Sequence, residues 1–181
     1  MKNLFFLFLT FSLLLPFGCK KYEMRVADNS DNGIMTAEFN NRTDWEATGS
    51  AKIIDDKLFL GGIAYVETNE DFLIMKEFAS FENLPIGVGK YNLEANDSSN
   101  PENKIIRFRT IWDADVSGDK YVPRANKDNW IRITEIDTVA GFVRGTFELN
   151  LEIEDADNKN IPSNPDKIKL KDGRFDIVLT E

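Results

Sequence analysis

The residues from Val143 to Ile153 alternate strictly between two kinds of side chain, and this stretch constrains the fold more than any other. The odd positions carry the apolar or small residues Val143, Gly145, Phe147, Leu149, Leu151 and Ile153. The even positions carry the polar residues Arg144, Thr146, Glu148, Asn150 and Glu152. Because side chains alternate across a strand, a period of two predicts a long β-strand with one buried face and one face in water.

A shorter strand precedes this one and completes a predicted hairpin. Ile131 and Ile133 share one face, and Asp137–Gly141 has the composition of a turn. Ile136 is out of phase with that pair, which predicts a bulge or a strand end near Thr134.

Other stretches of the chain also favour β-structure. Leu58–Val66 is apolar on both parities, as expected for a strand covered on both faces. Gly61-Gly62 inside it indicates a bulge or a close approach of another backbone. The apolar phase flips across Lys171-Asp172-Gly173, which predicts a turn or a glycine bulge.

Polar segments separate these strands, and we interpret Asp113–Asp128 and Ala156–Asp166 as long loops. No segment shows a 3.6-residue apolar period over three turns. We therefore predict an all-β class, with residues 34–181 forming a single antiparallel β-sandwich or barrel-like domain of nine to ten strands.

Composition excludes several classes of function. The 181-residue chain has a formal charge of −9, which argues against binding nucleic acid through bulk electrostatics. It contains no histidine, so Ser-His-Asp catalysis and histidine-ligated zinc are excluded. Cys19 is the only cysteine, and no disulfide can form within the chain.

The N-terminus predicts export and lipidation. Met1–Gly18 has one lysine followed by the apolar run Leu4–Phe17, as in a secretory signal peptide. Cys19 follows at once, as in a bacterial lipoprotein. Pro16-Phe17 departs from the usual lipobox, which has leucine and then a small residue there. A plain signal peptide or a weak helical anchor is the alternative, but the sole cysteine lies where the signal ends and favours lipidation of Cys19.

The segment after the cysteine predicts how the domain is held. Residues 20–33 are polar and aperiodic, and they end in a cluster of Asn, Asp, Ser and Gly. We interpret residues 19–33 as a lipid-anchored flexible tether. The expected location is the cell envelope, at the outer membrane, with its periplasmic or surface face left open.

Four segments together resemble a known family. They are "MTAEFNNRTDWEA", "GVGKYNL", "WIRITEID…VRGTFELNL" and "IKLKDGRFDIVL". In this order they resemble small Bacteroidota lipoproteins known only as a domain of unknown function. The resemblance covers most of Met35–Leu179, and its marks are Gly89, Gly145 and Gly173, each shortly before an aromatic residue. These residues form the fold, so the resemblance implies no catalytic or binding residue.

One loop has part of a calcium-binding pattern. Oxygen-bearing side chains stand at alternate positions: Asp113, Asp115, Ser117 and Asp119. Gly118 occupies the sixth position, but Arg124 stands at the twelfth, where a bidentate glutamate is required. These residue types are also those of any exposed turn. We therefore favour a solvated loop over a metal site, and we predict no cofactor.

Three aromatic residues near the same loop form a candidate ligand surface. Trp112, Tyr121 and Trp130 could present a stacking platform for a sugar or a peptide. The alternative is that two of them cap the core, and Trp112 shares its parity with core-type residues.

These observations favour a lipid-anchored envelope protein whose β domain is a non-enzymatic binding or assembly module. A carboxylate-based glycan hydrolase and a structural subunit of an envelope complex are the alternatives. No catalytic residue is assigned, since none of the 31 acids has a partner at a definable spacing. The expected partners are the membrane, through the N-terminal lipid, and a glycan or a protein, but no nucleic acid.

Overall fold

A computed structural model describes residues 32–41, 43–67, 73–95, 100, 102–112 and 116–180. The predicted signal peptide, Cys19 and nearly all of the tether lie outside the described residues. Asp113, Asp115 and the side chain of Trp112 lie outside them as well. Among the described residues, no helix has the length and apolarity needed to cross a membrane.

The described residues form ten strands and no helix, which confirms the all-β class. The strands are β1 (Gly33–Phe39), β2 (Thr43–Ile54), β3 (Lys57–Glu67), β4 (Leu73–Pro85), β5 (Gly89–Asn92), β6 (Ile105–Trp112), β7 (Val116–Pro123), β8 (Trp130–Asp137), β9 (Phe142–Ile153) and β10 (Lys167–Thr180). β1 begins one residue before the predicted domain boundary.

Eight of the strands pair in a closed ring, so the arrangement is barrel-like. The ring runs β1–β2–β3–β4–β6–β7–β9–β10 and returns to β1. β8 pairs with the first part of β9, and β5 pairs with β8 at the edge. All of these pairings are antiparallel. Two short parallel contacts are also present among the described residues: two residues of β10 pair with β2, and Glu94 forms an isolated bridge to Ile105.

The β8–β9 hairpin contributes the centre of the core, as the alternation predicts. The odd residues of β9 are all buried, and the polar residues between them are half-buried or exposed. Leu149 and Phe147 lie in the same buried cluster as residues from every strand except β5. The register shifts between Ile133 and Glu135, which confirms the bulge predicted near Thr134. A second shift between Leu170 and Gly173 confirms the phase flip in β10.

Two glycines permit the closest approaches in this region. A Cβ placed on Gly145 would lie 2.0 Å from the Arg132 carbonyl oxygen and 2.4 Å from a Phe175 ring carbon. A Cβ on Gly173 would lie 2.6 Å from the Phe147 ring. Each aromatic ring therefore occupies the space that a side chain on the neighbouring strand would fill, and this explains why glycine stands among the apolar positions of β9.

The interpretation of Asp113–Asp128 as one long loop is wrong, because β7 runs from Val116 to Pro123 within it. Serine, glycine and aspartate in its first half are typical of turns. Gly118 nevertheless packs closely on β6, and a Cβ there would lie 2.5 Å from Thr110 Oγ1. Tertiary packing against β6 therefore selects the strand against its local propensity.

Candidate functional site

A groove crosses the outer face of β2, β3 and β4 around Gly61. Ser50 and Ser80 are the cross-strand neighbours of Gly61, so small residues form its floor. A Cβ on Gly61 would lie 2.9 Å from Ser50 Oγ. The cavity measures about 480 Å³. We call it the Gly61 groove, and Ser50, Lys52, Ile54, Phe59, Gly61, Phe78, Ser80, Glu82 and Thr180 contribute to its lining.

Two half-buried aromatic rings flank the floor of the Gly61 groove. Phe59 lies two residues before Gly61 on β3, and Phe78 lies two residues before Ser80 on β4. Because Gly61 pairs with Ser80 in antiparallel register, the two rings stand on opposite sides of the floor. Aromatic walls beside a few polar groups are typical of ligand-binding clefts.

An ion pair with Arg107 fixes Glu82 at the polar side of the Gly61 groove. Ser80 Oγ donates a hydrogen bond of 2.9 Å to Glu82 Oε1, and Arg107 Nε donates one of 2.8 Å to the same oxygen. The Glu82 side chain is 21% exposed, so it is fixed by two donors yet remains reachable from solvent. This preorganised carboxylate can accept a further hydrogen bond from a ligand hydroxyl.

Inside the ring of strands, Glu77 is a buried acid. Trp45 Nε1 donates a hydrogen bond of 2.8 Å to Glu77 Oε2. Burial raises the pKa of Glu77 above its ordinary 4.5, although Lys76 and the Trp45 hydrogen bond act in the opposite direction. The protonated acid is thus favoured in the folded state.

We expect Glu77→Gln to change the pH dependence of stability. Because the pKa of Glu77 is raised in the folded state, the protonated acid contributes to stability. This contribution is fully present below about pH 4.5 and is lost as the pH rises through the folded-state pKa. Glutamine stays neutral and keeps an acceptor for Trp45. Thermal melts from pH 4 to pH 8 should therefore show similar stability at pH 4 and a growing advantage for the variant at higher pH. A difference that is constant with pH would contradict the assignment.

Of the four candidate calcium ligands, the structure describes Ser117 and Asp119, and these two differ in exposure. Ser117 is exposed, whereas Asp119 is only 3% exposed. The Asp119 carboxylate accepts hydrogen bonds from the Asn160 backbone at 2.7 Å, the Asn164 amide at 2.6 Å and the Ile161 backbone at 3.3 Å. In the part of the chain that the structure describes, no group of three acidic or sulfur ligands could hold a metal ion. Asp119 serves to fasten the loop before β10 onto β7.

Of the three candidate aromatics, the structure describes the side chains of Tyr121 and Trp130, and it places them on opposite faces of the sheet. Tyr121 faces the interior at 2% exposure, its ring edge-on to Phe108 with centroids 5.8 Å apart. Its hydroxyl donates to the Pro165 carbonyl at 2.8 Å. Burial, followed by the negative charge of Asp119, raises the Tyr121 pKa above its ordinary value. Trp130 is half-buried on the outer side of β8, so it is separated from Tyr121 by the sheet itself.

Sequence patterns alone missed the Gly61 groove as a site. The signal was Gly61-Gly62 within an apolar strand, which indicates a close approach but not on which face it occurs. The structure separates their roles. Gly62 faces inward, where a Cβ would lie 2.7 Å from Met35 Sδ, and Gly61 faces outward and opens the groove.

We compared the chain with protein-family models, curated proteins and solved structures, and found no match in any of the three.

Proposed function

We propose that this protein is a non-enzymatic binding module of the bacterial cell envelope, and that it binds a carbohydrate in the Gly61 groove. The observation that carries the proposal is the groove itself, with a floor of small residues between the Phe59 and Phe78 rings. Sugar rings have apolar faces that stack on aromatic side chains, and their hydroxyls need hydrogen-bond partners at the edge. Ser50, Ser80 and Glu82 supply such partners.

The arrangement of the buried acids supports binding rather than hydrolysis. A glycosidase needs two carboxyl groups facing each other across the scissile bond, with a separation of roughly 5 to 9.5 Å. Glu77 and Asp119, the two buried acids among the described residues, accept hydrogen bonds from the protein itself. Each therefore has a structural role already.

We expect Gly61→Thr to abolish binding without unfolding the protein. A threonine side chain suits a strand and would fill the floor of the groove, where only the movable Ser50 hydroxyl is close. Binding of the purified protein to an array of neutral and acidic oligosaccharides is the measurement. The wild type should retain at least one oligosaccharide, and Gly61→Thr should weaken its binding by tenfold or more.

Gly87→Thr is the matched control, because a Cβ at Gly87 would have only the Tyr91 hydroxyl within 4 Å, at 4.0 Å. This variant should bind as the wild type does. The proposal fails if no oligosaccharide binds, or if Gly61→Thr binds as well as Gly87→Thr.

The tethered location is part of the same proposal and rests on the sequence. Only Gly18 separates the apolar run from the sole cysteine, and a lipid on Cys19 would hold the domain at the outer membrane. The resemblance to small Bacteroidota lipoproteins points to the same location. A carbohydrate-binding module anchored in this way would bind glycans of the envelope.

We expect mass spectrometry of the mature protein to find three acyl chains on Cys19. Each buried methylene contributes about 0.8 kcal/mol, so one chain alone is a marginal anchor, whereas several hold the protein firmly. Cys19→Ser removes the thiol that receives the lipid, and Leu4–Phe17 should then stay attached. A free thiol on Cys19, or a mature chain that starts at Lys20, would contradict lipid anchoring.

A further inference from the structure

Two cations face each other on the outer side of β6 and β7. Arg109 and Lys120 are direct cross-strand partners, and both side chains are exposed. Like charges in this position destabilise an antiparallel pair. Within the described ranges neither cation forms an ion pair, whereas Arg107, two residues earlier on β6, is paired with Glu82. An anionic ligand would remove this repulsion.

The two cations line a cleft with an aromatic wall. The cleft measures about 440 Å³ and includes Phe78, Arg107, Arg109, Lys120 and Glu154. The Arg109 guanidinium carbon lies 5.1 Å from the centroid of the Phe78 ring. This cation–π contact positions the guanidinium beside the ring, and its N–H groups can donate to a carboxylate.

The charge in this cleft suits a ligand group with a single negative charge. Arg107 is neutralised by Glu82, so Arg109 and Lys120 contribute two positive charges and Glu154 contributes one negative charge, for a balance of +1. A carboxylate matches this balance better than a doubly charged phosphate does. The bidentate geometry of arginine also favours a carboxylate.

The cleft adjoins the Gly61 groove, because Phe78 lines both. From Gly61 on β3 to Lys120 on β7 the sheet crosses three strand spacings, roughly 14 Å. This span requires an extended ligand rather than one sugar ring. We propose that the ligand is an acidic polysaccharide, with one sugar in the Gly61 groove and the carboxylate of a neighbouring uronic acid between Arg109 and Lys120. This inference rests on the proposed function.

The test uses trigalacturonate and its fully methyl-esterified form, which has the same sugars without the charge. Calorimetric titration of the full chain in detergent should show binding of trigalacturonate that weakens tenfold or more in Arg109→Gln and in Lys120→Gln. The same binding should weaken as salt is raised, since the contact is partly exposed. The ester should bind more weakly than the acid, and Arg109→Gln should leave the affinity for the ester unchanged.

The controls are Lys90→Gln and Arg132→Gln. Lys90 and Arg132 are also cross-strand cations, with the Lys90 ammonium 4.4 Å from the centroid of the Trp130 ring, but they line neither cleft. Both variants should bind as the wild type does. Equal binding of acid and ester, both abolished by Gly61→Thr, would overturn the acidic ligand and leave the groove function standing. Wild-type affinity for trigalacturonate in Arg109→Gln would also overturn it. Binding of neither saccharide would overturn the acidic ligand, whereas the groove function would fall only if no oligosaccharide of the array bound.

Discussion

Leu149→Asp should lower the free energy of unfolding by more than about 3 kcal/mol, because it places a charge without a partner in the apolar interior. Leu149 is fully buried in the central cluster. Urea denaturation of the wild type and the variant measures the difference directly. We expect a large drop in the midpoint, or a variant that does not fold.

Glu148→Ala is the matched control, one residue away on the opposite face of β9. The Glu148 side chain is 31% exposed and lies 3.4 Å from the Lys169 ammonium. Losing an exposed pair of this kind costs no more than about 1 kcal/mol. Equal midpoints for the two variants would mean that the faces of β9 are wrongly assigned.

Gly145→Ala should be comparably damaging, although it adds only one methyl group. The new Cβ would lie 2.0 Å from the Arg132 carbonyl oxygen, which belongs to the backbone of β8. Relief therefore requires β8 and β9 to separate locally, and we expect a loss of about 3 kcal/mol in the free energy of unfolding. The same denaturation experiment measures it.

Gly87→Ala provides the comparison for the backbone effect of replacing glycine. Its Cβ would have only the Tyr91 hydroxyl within 4 Å, at 4.0 Å, so stability should stay within about 0.5 kcal/mol of the wild type. If Gly145→Ala were tolerated as well as Gly87→Ala, the two strands could not approach as closely as described.

Much of the fold could be predicted from local patterns. From Val143 to Ile153, the apolar positions of β9 all point the same way because side chains alternate along a strand. The two phase changes at Thr134 and Gly173 appear directly as irregular spacing. β7 was missed because Ser117-Gly118-Asp119 has turn chemistry. Its strand conformation depends on packing against Thr110 and on the Asp119 bonds to the loop before β10, and neither contact leaves a local signal.

The candidate site was less predictable, because it depends on which strands become neighbours. Ser50, Gly61 and Ser80 are far apart in the chain, and only the register of three strands places them in one row. For Tyr121, the uncertain point was which face of the sheet its ring occupies. An aromatic residue next to a polar segment suggested a surface platform, but parity places its ring inside. The sequence carried no phase signal for β7 from which this could have been read.

The most direct test of the proposed binding function is to locate the bound ligand on the sheet. Amide chemical shifts of the isotope-labelled protein, titrated with trigalacturonate, would give that location residue by residue. We predict that the shifts concentrate on β2, β3 and β4 around Gly61 and continue to Arg109 and Lys120 on β6 and β7. Shifts centred instead on Trp130 and the outer face of β8 would contradict the assignment of the Gly61 groove as the binding site, and the absence of any shift would contradict the acidic ligand.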